Sequence, residues 1–249
     1  VTANISRRAA LRGAAFVAAG LALGSRALAA PAHAAGPPDP VELRQAIRDA
    51  QERERRILAG HPSKNGWEME NVADDRGNIH TRPVPGTAID LQMRMAEVET
   101  ILVYTVSRFH YEIESLRRGE VVGWCQPNSV DRKLPESNLA SGTAVRIRPG
   151  AYPSGTRGGF YSLQEMTIRD ILAPCEGVVR WGGDDRLPDE SLFYIDVPPG
   201  DERLSLVAAK IRMWNQTPGF GPGVLADPLQ PQRRKLAKRL SLQQAEGAR

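Results

Sequence analysis

The chain has 249 residues, of which 25% are charged and 41% hydrophobic, the composition of one ordinary globular domain with flanking segments. Its formal charge of +4 belongs to the ends: residues 1–34 hold four arginines and no acid, and residues 228–249 hold six basic residues against one acid, which leaves 35–227 at −5. An acidic domain argues against nucleic acid as a partner, because phosphate binding needs a basic face. Beyond the first thirty residues no apolar run is long enough to span a bilayer, so no transmembrane span is expected in the mature chain.

The N-terminus reads as an address rather than as fold. "SRRAALRG" is a basic segment with paired arginines, Arg7 and Arg8, followed by Leu11. "AAFVAAGLALG" is short and weakly apolar, and "APAHAAG" offers small-x-small cleavage after Ala34 or Ala29. The pattern resembles a twin-arginine export signal over 1–34 and predicts a secreted or cell-envelope protein. In an exported chain an even cysteine count predicts a disulfide, here Cys125 with Cys175. Such a bond would be worth roughly 4 kcal/mol in the chain-entropy model.

Residues 35–66 form a Pro-rich leader and a helix. Asp39 is its candidate N-cap, with Pro40 at the first position and Glu42 three residues after the cap. Leu43, Ala46, Ile47, Ala50, Ile57 and Leu58 share one face, expected to lie on the chain's own domain, and Gly60 ends the run. "HPSKNGWEMENVADDRGNIHTRPVPGT" is loop, with short strands near Trp67 and Ile79. "AIDLQMRM" alternates at period two and predicts a half-buried strand. "EVETILVYTVSRF" predicts a helix with Val98, Ile101, Leu102, Thr105 and Phe109 inward; "HYEIESL" and "EVVGW" predict strands. "LQEMTIRDILAPC" predicts a helix with Leu163, Met166, Ile171 and Leu172 inward, "GVVRWGG" and "SLFYIDV" strands, and "ERLSLVAAKIRMWN" a last helix. The segment 221–249 reads as a basic flexible tail, a candidate contact to anionic envelope polymers. Helices before and between strands argue an α+β class.

Between residues 121 and 197 four short motifs follow in order: "SNLASGTA", "YPSG", "WGGDD" and "PDESLF". Together they resemble the core of the M15 family of zinc D-alanyl-D-alanine carboxypeptidases, within the wider Hedgehog/DD-peptidase-like superfamily. The resemblance implies such a domain over 67–220, a small mixed sheet with packed helices preceded by an N-terminal helix. In that family a histidine, an aspartate seven residues on and a second histidine on a later strand hold zinc and leave a position for an activated water. A carboxylate three residues before the second histidine is the general base. Here the two histidine positions are Leu139 and Leu192, the aspartate position is Arg146, and only the general-base position, Asp189, is kept. The family's upstream substrate arginine has no counterpart, since neither Gln126 nor Arg132 aligns.

Leucine has no lone pair and arginine keeps its charge, so no metal and no cofactor are expected. The remaining histidines, His61, His80 and His110, lie at no metal-ligand spacing. No G-x-S-x-G elbow is present, and "GTRGGF" lacks the lysine and helix start of a phosphate loop, so it reads as a turn. Arg146 is expected to restore the positive charge beside Asp189 that zinc would supply, with the two leucines packed together. The resemblance then implies a non-catalytic relative of the cell-wall carboxypeptidases. It would bind a cell-wall peptide or other carboxylate ligand through Arg146, with Ser137, Asn138, Trp181 and Asp184 as further binding candidates. The alternatives are a peptidoglycan peptidase working by an unrecognised route and an envelope structural or adaptor protein.

Overall fold

The computed structural model describes residues 40–224 and 227–247. The export-signal segment, the Pro-rich leader and the Asp39 cap lie outside the described residues. Helix α1, Pro40–Ile57, forms as the pattern predicts. It stops three residues before Gly60, because the chain extends into strand β1, Leu58–Pro62, paired with β2, Glu68–Glu70. Its Leu43 and Ile47 are 44% and 47% exposed and only Ile57 is buried, so these two side chains are not covered as the amphipathic pattern led us to expect.

Strand β3, Ile79–Pro83, pairs antiparallel with β4, Asp90–Arg94. Ile89, Leu91 and Met93 are buried in alternation, which is the half-buried strand that period two predicts. Helix α2, Glu97–Glu112, runs through the centre and is buried on more than one face: Tyr104, Val106 and Arg108 are covered as well as the expected stripe. The expected strand at "HYEIESL" does not form. Its first three residues are the last turn of α2, held by the Arg108–Glu112 pair one turn apart, and the His110 ring nitrogen accepts the Leu116 N–H at 2.9 Å.

The main sheet has four strands: β5, Val121–Val122; β6, Ala144–Ile147; β7, Val179–Trp181; and β8, Leu192–Ile195. Their order is β5-β6-β8-β7 and every pairing is antiparallel, so the sheet is antiparallel rather than mixed. The α+β class stands. Helix α3, Ser162–Leu172, buries Ile171 and Leu172 as expected, but Leu163 is 55% exposed and Met166 only half-buried, while Thr167, Ile168 and Asp170 are buried. Helix α4, Glu202–Gln216, starts on an Asp201 cap that accepts the Arg203 N–H. The basic tail carries a further helix, α5, Pro231–Gly247, with Ala237, Leu240 and Gln244 buried at helical spacing.

The sheet separates two apolar groups, and this positions the candidate site. Val145, Ile147, Phe193 and Ile195 face the large core with α2, α3 and α4. The alternate residues Ala144, Leu192 and Tyr194 face a small second cluster with Leu139. The cysteines fall on opposite sides of this division. Cys175 is buried in the large core, Cys125 packs on the small cluster, and both are free thiols. The expected disulfide does not form, because the sheet lies between its partners.

Candidate functional site

Arg146 lies on β6 directly opposite Leu192 on β8. It shares a face with Ala144, so its side chain stands over the small cluster, while Val145 and Ile147 turn to the core. Leu139, at the end of a 3₁₀ turn over Pro135–Leu139, packs in that cluster with Leu192. Asp189 sits in the turn leading to β8, where its N–H donates to Gly182 O at 2.9 Å. A Cβ at Gly182 would lie 2.7 Å from Asp189 O, so this close approach of two backbones needs glycine.

The structure brings Arg146 and Asp189 together. Arg146 Nε donates to Asp189 Oδ2 at 3.0 Å, and its Nη2 lies 2.9 Å from the same oxygen. Nη2 also donates to Glu136 Oε2 at 2.8 Å. The second oxygen of each carboxylate is occupied too. Asp189 Oδ1 accepts from Ser191 Oγ at 2.6 Å, and Glu136 Oε1 accepts the Asp131 N–H at 2.8 Å. Asp189 is 7% exposed at its side chain, against 22% for Arg146 and 24% for Glu136, so the pair faces water at the Glu136 end. Burial works against the Arg146 charge, but the hydrogen bond to Glu136 and the Asp189 charge outweigh it and hold the guanidinium above its ordinary range.

Two carboxylates face one cation, so the centre carries a net negative charge. The guanidinium is engaged with groups of its own chain, and the adjoining hollow, lined by Leu134, Pro135, Glu136, Arg146, Asp189 and Leu192 among others, measures about 20 Å³, room for about one water. The positions that would hold zinc in the resembled family present two aliphatic chains and a fixed cation, a donor set that does not fit a divalent ion. Both Asp189 oxygens are engaged within the chain, Oδ2 by Arg146 and Oδ1 by Ser191.

The other expected binding residues are drawn into the fold. Ser137 Oγ accepts the Lys64 N–H at 2.9 Å, and Asn138 Oδ1 accepts the Asn65 N–H at 3.1 Å, so both tie the 63–67 loop to the 3₁₀ turn. Asn138 Nδ2 is buried with no acceptor among the described residues. Trp181 is 2% exposed, with its indole N–H on Glu190 O at 2.8 Å. Asp184 is clasped by Arg169. None of the four lines the cleft. The glycine turn at "GTRGGF" serves the fold, since the Gly158 and Gly159 N–H groups each reach the buried Glu190 carboxylate at 2.8 Å.

Glu136 is the member of the centre that the motif reading missed. It stands immediately before "SNLASG", ten residues ahead of Arg146, and a second acid at that distance from a lone inward arginine was the available signal. Asp185 is another neighbour of the cleft. Burial pushes its carboxyl up, partly offset by Arg180, which donates to it at 3.0 Å, and Tyr194 O–H donates to both its oxygens. Comparison of the chain with protein-family models, with curated proteins and with solved structures returns no match.

Proposed function

We propose that the chain is an exported cell-envelope protein built on a D-alanyl-D-alanine carboxypeptidase-like scaffold of the Hedgehog/DD-peptidase type, and that it acts by binding rather than by hydrolysis. One observation carries the reading. The residues at the four family positions, Leu139, Arg146, Asp189 and Leu192, gather at one place in the fold, although up to fifty-three positions separate them in sequence. That convergence is what a lost metal centre would leave behind, with an arginine in the place of the cation.

The same centre bears on the ligand. A cell-wall peptide could reach Arg146 only by displacing Glu136, since the guanidinium is engaged on both sides and the hollow holds about one water. Glu136 is the more exposed partner and the one that a ligand carboxylate would replace. The structural or adaptor reading is favoured wherever that exchange does not occur.

Calorimetric titration with a muropeptide ending in D-Ala-D-Ala decides between them. Binding by the parent that strengthens in Glu136→Gln, where the competing charge is gone, supports a peptide site at Arg146. No binding by either protein leaves the adaptor role and removes the ligand. Hydrolysis of the same peptide, abolished by a chelator, would overturn the non-catalytic reading, as would one tightly held zinc per chain in elemental analysis.

A further inference from the structure

A second cavity, of about 580 Å³, opens between α2, α4, α5 and the turn that follows α3. It shares no lining residue with the Arg146 cleft. Its size falls in the range of pockets that enclose small organic molecules. Tyr104, Trp214, Phe220, Val224 and Leu236 supply apolar lining. The Tyr104 and Trp214 rings lie 6.1 Å apart at 43°, and Lys210 Nζ stands 5.6 Å from the Trp214 ring. Phe220 and Leu236 are 59% and 54% exposed, so large apolar side chains surround the cavity without being covered by the fold.

The polar groups of this cavity are unevenly engaged. Both oxygens of Glu112 accept from Arg108. Asp170 Oδ1 accepts from Arg233 Nε at 2.8 Å, and its Oδ2 accepts from Arg108 Nη2 at 2.9 Å and from Arg233 as well. These acceptors are used. Among the donors, Tyr104 oxygen accepts from Arg108 Nη1 at 3.0 Å, which leaves the phenolic proton to give away. No acceptor for it exists among the described residues, although Tyr104 is only 3% exposed. Trp214 Nε1 and Arg233 Nη1 likewise donate to nothing among the described residues, and Lys210 gives one of its three protons to Glu176. Burial pushes the Tyr104 phenol up to about 12, so it remains a donor across the physiological range.

Apart from Glu176, an exposed residue whose Oε1 alone is engaged, by Lys210, the lining carboxylates are filled by arginines, while the Tyr104 hydroxyl proton and Arg233 Nη1 go to no described residue. With its aromatic walls, the Tyr104 end of the pocket suits an acceptor-bearing apolar molecule. We propose that this cavity binds a small amphipathic carboxylate, its apolar body against Trp214 and Phe220 and its head accepting from Tyr104 and Arg233. Linear and aromatic acids share that chemistry, and two probes separate them: decanoate and 2-naphthoate. The proposal is independent of any peptide at Arg146.

Isothermal titration of the full chain with each acid, with decanol and with decyltrimethylammonium is the test. Saturable one-to-one binding of at least one acid is expected, with the neutral and cationic probes at least about tenfold weaker, the worth of one hydrogen bond to a charged group. Tyr104→Phe should weaken the acid about tenfold by the same count. Since that change also deprives Arg108 of a partner, Phe220→Ala serves as the second variant: its side chain is exposed, and it should weaken binding without altering the melting temperature. No saturable binding of either acid overturns the proposal. So does binding that decyltrimethylammonium matches, or that Phe220→Ala leaves unchanged.

Discussion

Arg146 on β6 holds Asp189, 43 residues further along the chain, through a 3.0 Å hydrogen bond from Nε, and the same guanidinium holds Glu136 at 2.8 Å. The arginine is thus the middle of an acid–base–acid row, and removing it strands two carboxylates. Asp189 is the one that suffers, because it is nearly covered. Breaking a buried pair from one side costs about 3–5 kcal/mol, and the access of water at Glu136 places this one near the lower end. Arg146→Ala should therefore lose roughly 3 kcal/mol in urea unfolding. Arg146→Asp should lose more, since three carboxylates would then meet without a cation. An Arg146→Asp protein that unfolds at the parent's midpoint would show that the row contributes nothing to the fold.

Installing a metal donor set at Leu139, Arg146 and Leu192 tests whether these positions can hold zinc. Leu139 and Leu192 already pack in one cluster beside Arg146, and both are nearly inaccessible. The triple change Leu139→His, Arg146→Asp and Leu192→His places two imidazoles and a carboxylate at the positions now filled by aliphatic chains and a cation. The triple variant should be less stable than the parent without metal and regain stability with zinc, because binding to the folded state adds to its free energy. Thermal unfolding with and without zinc, beside elemental analysis, reads this directly. A triple variant indifferent to zinc would argue that the four positions meet for reasons unrelated to a metal.

The row itself was legible in sequence only in part. Arg146 and Asp189 were expected to meet because the resembled family places its metal ligands and its base around one point, an expectation that rests on the resemblance and not on the strand period, which gives only the face on which Arg146 stands. Glu136 was missed because it sits on a 3₁₀ turn, where no hydrophobic period announces direction. The disulfide failed for a related reason: an even cysteine count carries no information about which face of a sheet each residue meets. Helix α5 was hidden by composition. Only Ala237 and Leu240 give it an apolar stripe, and its Arg233 finds a buried partner 63 positions away. On α3 the hydrophobic period holds at Ile171 and Leu172 but not at Leu163 in the first turn, and it gives no sign of Asp170, which is buried because Arg108 and Arg233 pair with it.

Asp170 sets an acid limit on stability. Burial pushes its carboxyl up, but hydrogen bonds from Arg233 and Arg108 hold it down more strongly, so it lies below the ordinary aspartate value of 3.8. A carboxyl held low contributes its full stabilisation above the unfolded-state value and loses it as pH falls through the folded one. The parent should therefore lose stability below about pH 4, where an unperturbed aspartate begins to take up its proton. Asp185 and Asp196 act in the opposite sense, because burial raises both and acid relieves them. Asp170→Asn should be less stable than the parent at pH 7 and show a shallower acid decline. Melting temperatures measured from about pH 2 to 7 test the difference in slope; parallel curves would remove Asp170 as the cause.

A chain ended after Gln230 should be markedly destabilised, which composition alone would not lead one to expect of a basic tail. The cut removes the Arg233 clasp on Asp170, the burial of Ala237 and Leu240, and the Gln244 Nε2 bond to Val179 O at 3.0 Å. It also leaves Arg180 Nη1 without the Gln244 carbonyl at 3.2 Å. Burial of one leucine and loss of these four hydrogen bonds sum to at least about 3 kcal/mol. Denaturant midpoints of the two chains compare directly, and equal midpoints would mean that α5 adds nothing to the rest.

Both thiols should be free, and they should differ in how fast they react. Cys175 is fully covered in the large core, and burial pushes its thiol up to about 12. Cys125 is partly covered beside Leu139 and Leu192, and burial raises its thiol as well, though the Ser129 hydroxyl and the Arg146 charge pull against it. The thiolate is the reacting form, so both should be sluggish near neutral pH. A thiol reagent should modify Cys125 slowly in the native protein and Cys175 only on unfolding, giving two thiols in denaturant. Reductant should leave the melting temperature unchanged, since no bond across the sheet is there to cut. Arg146→Ala should slow Cys125 further, because the cation that favours its thiolate is gone. A reductant-sensitive melting temperature, or fewer than two thiols in the unfolded chain, would contradict the placement of the two cysteines on opposite faces.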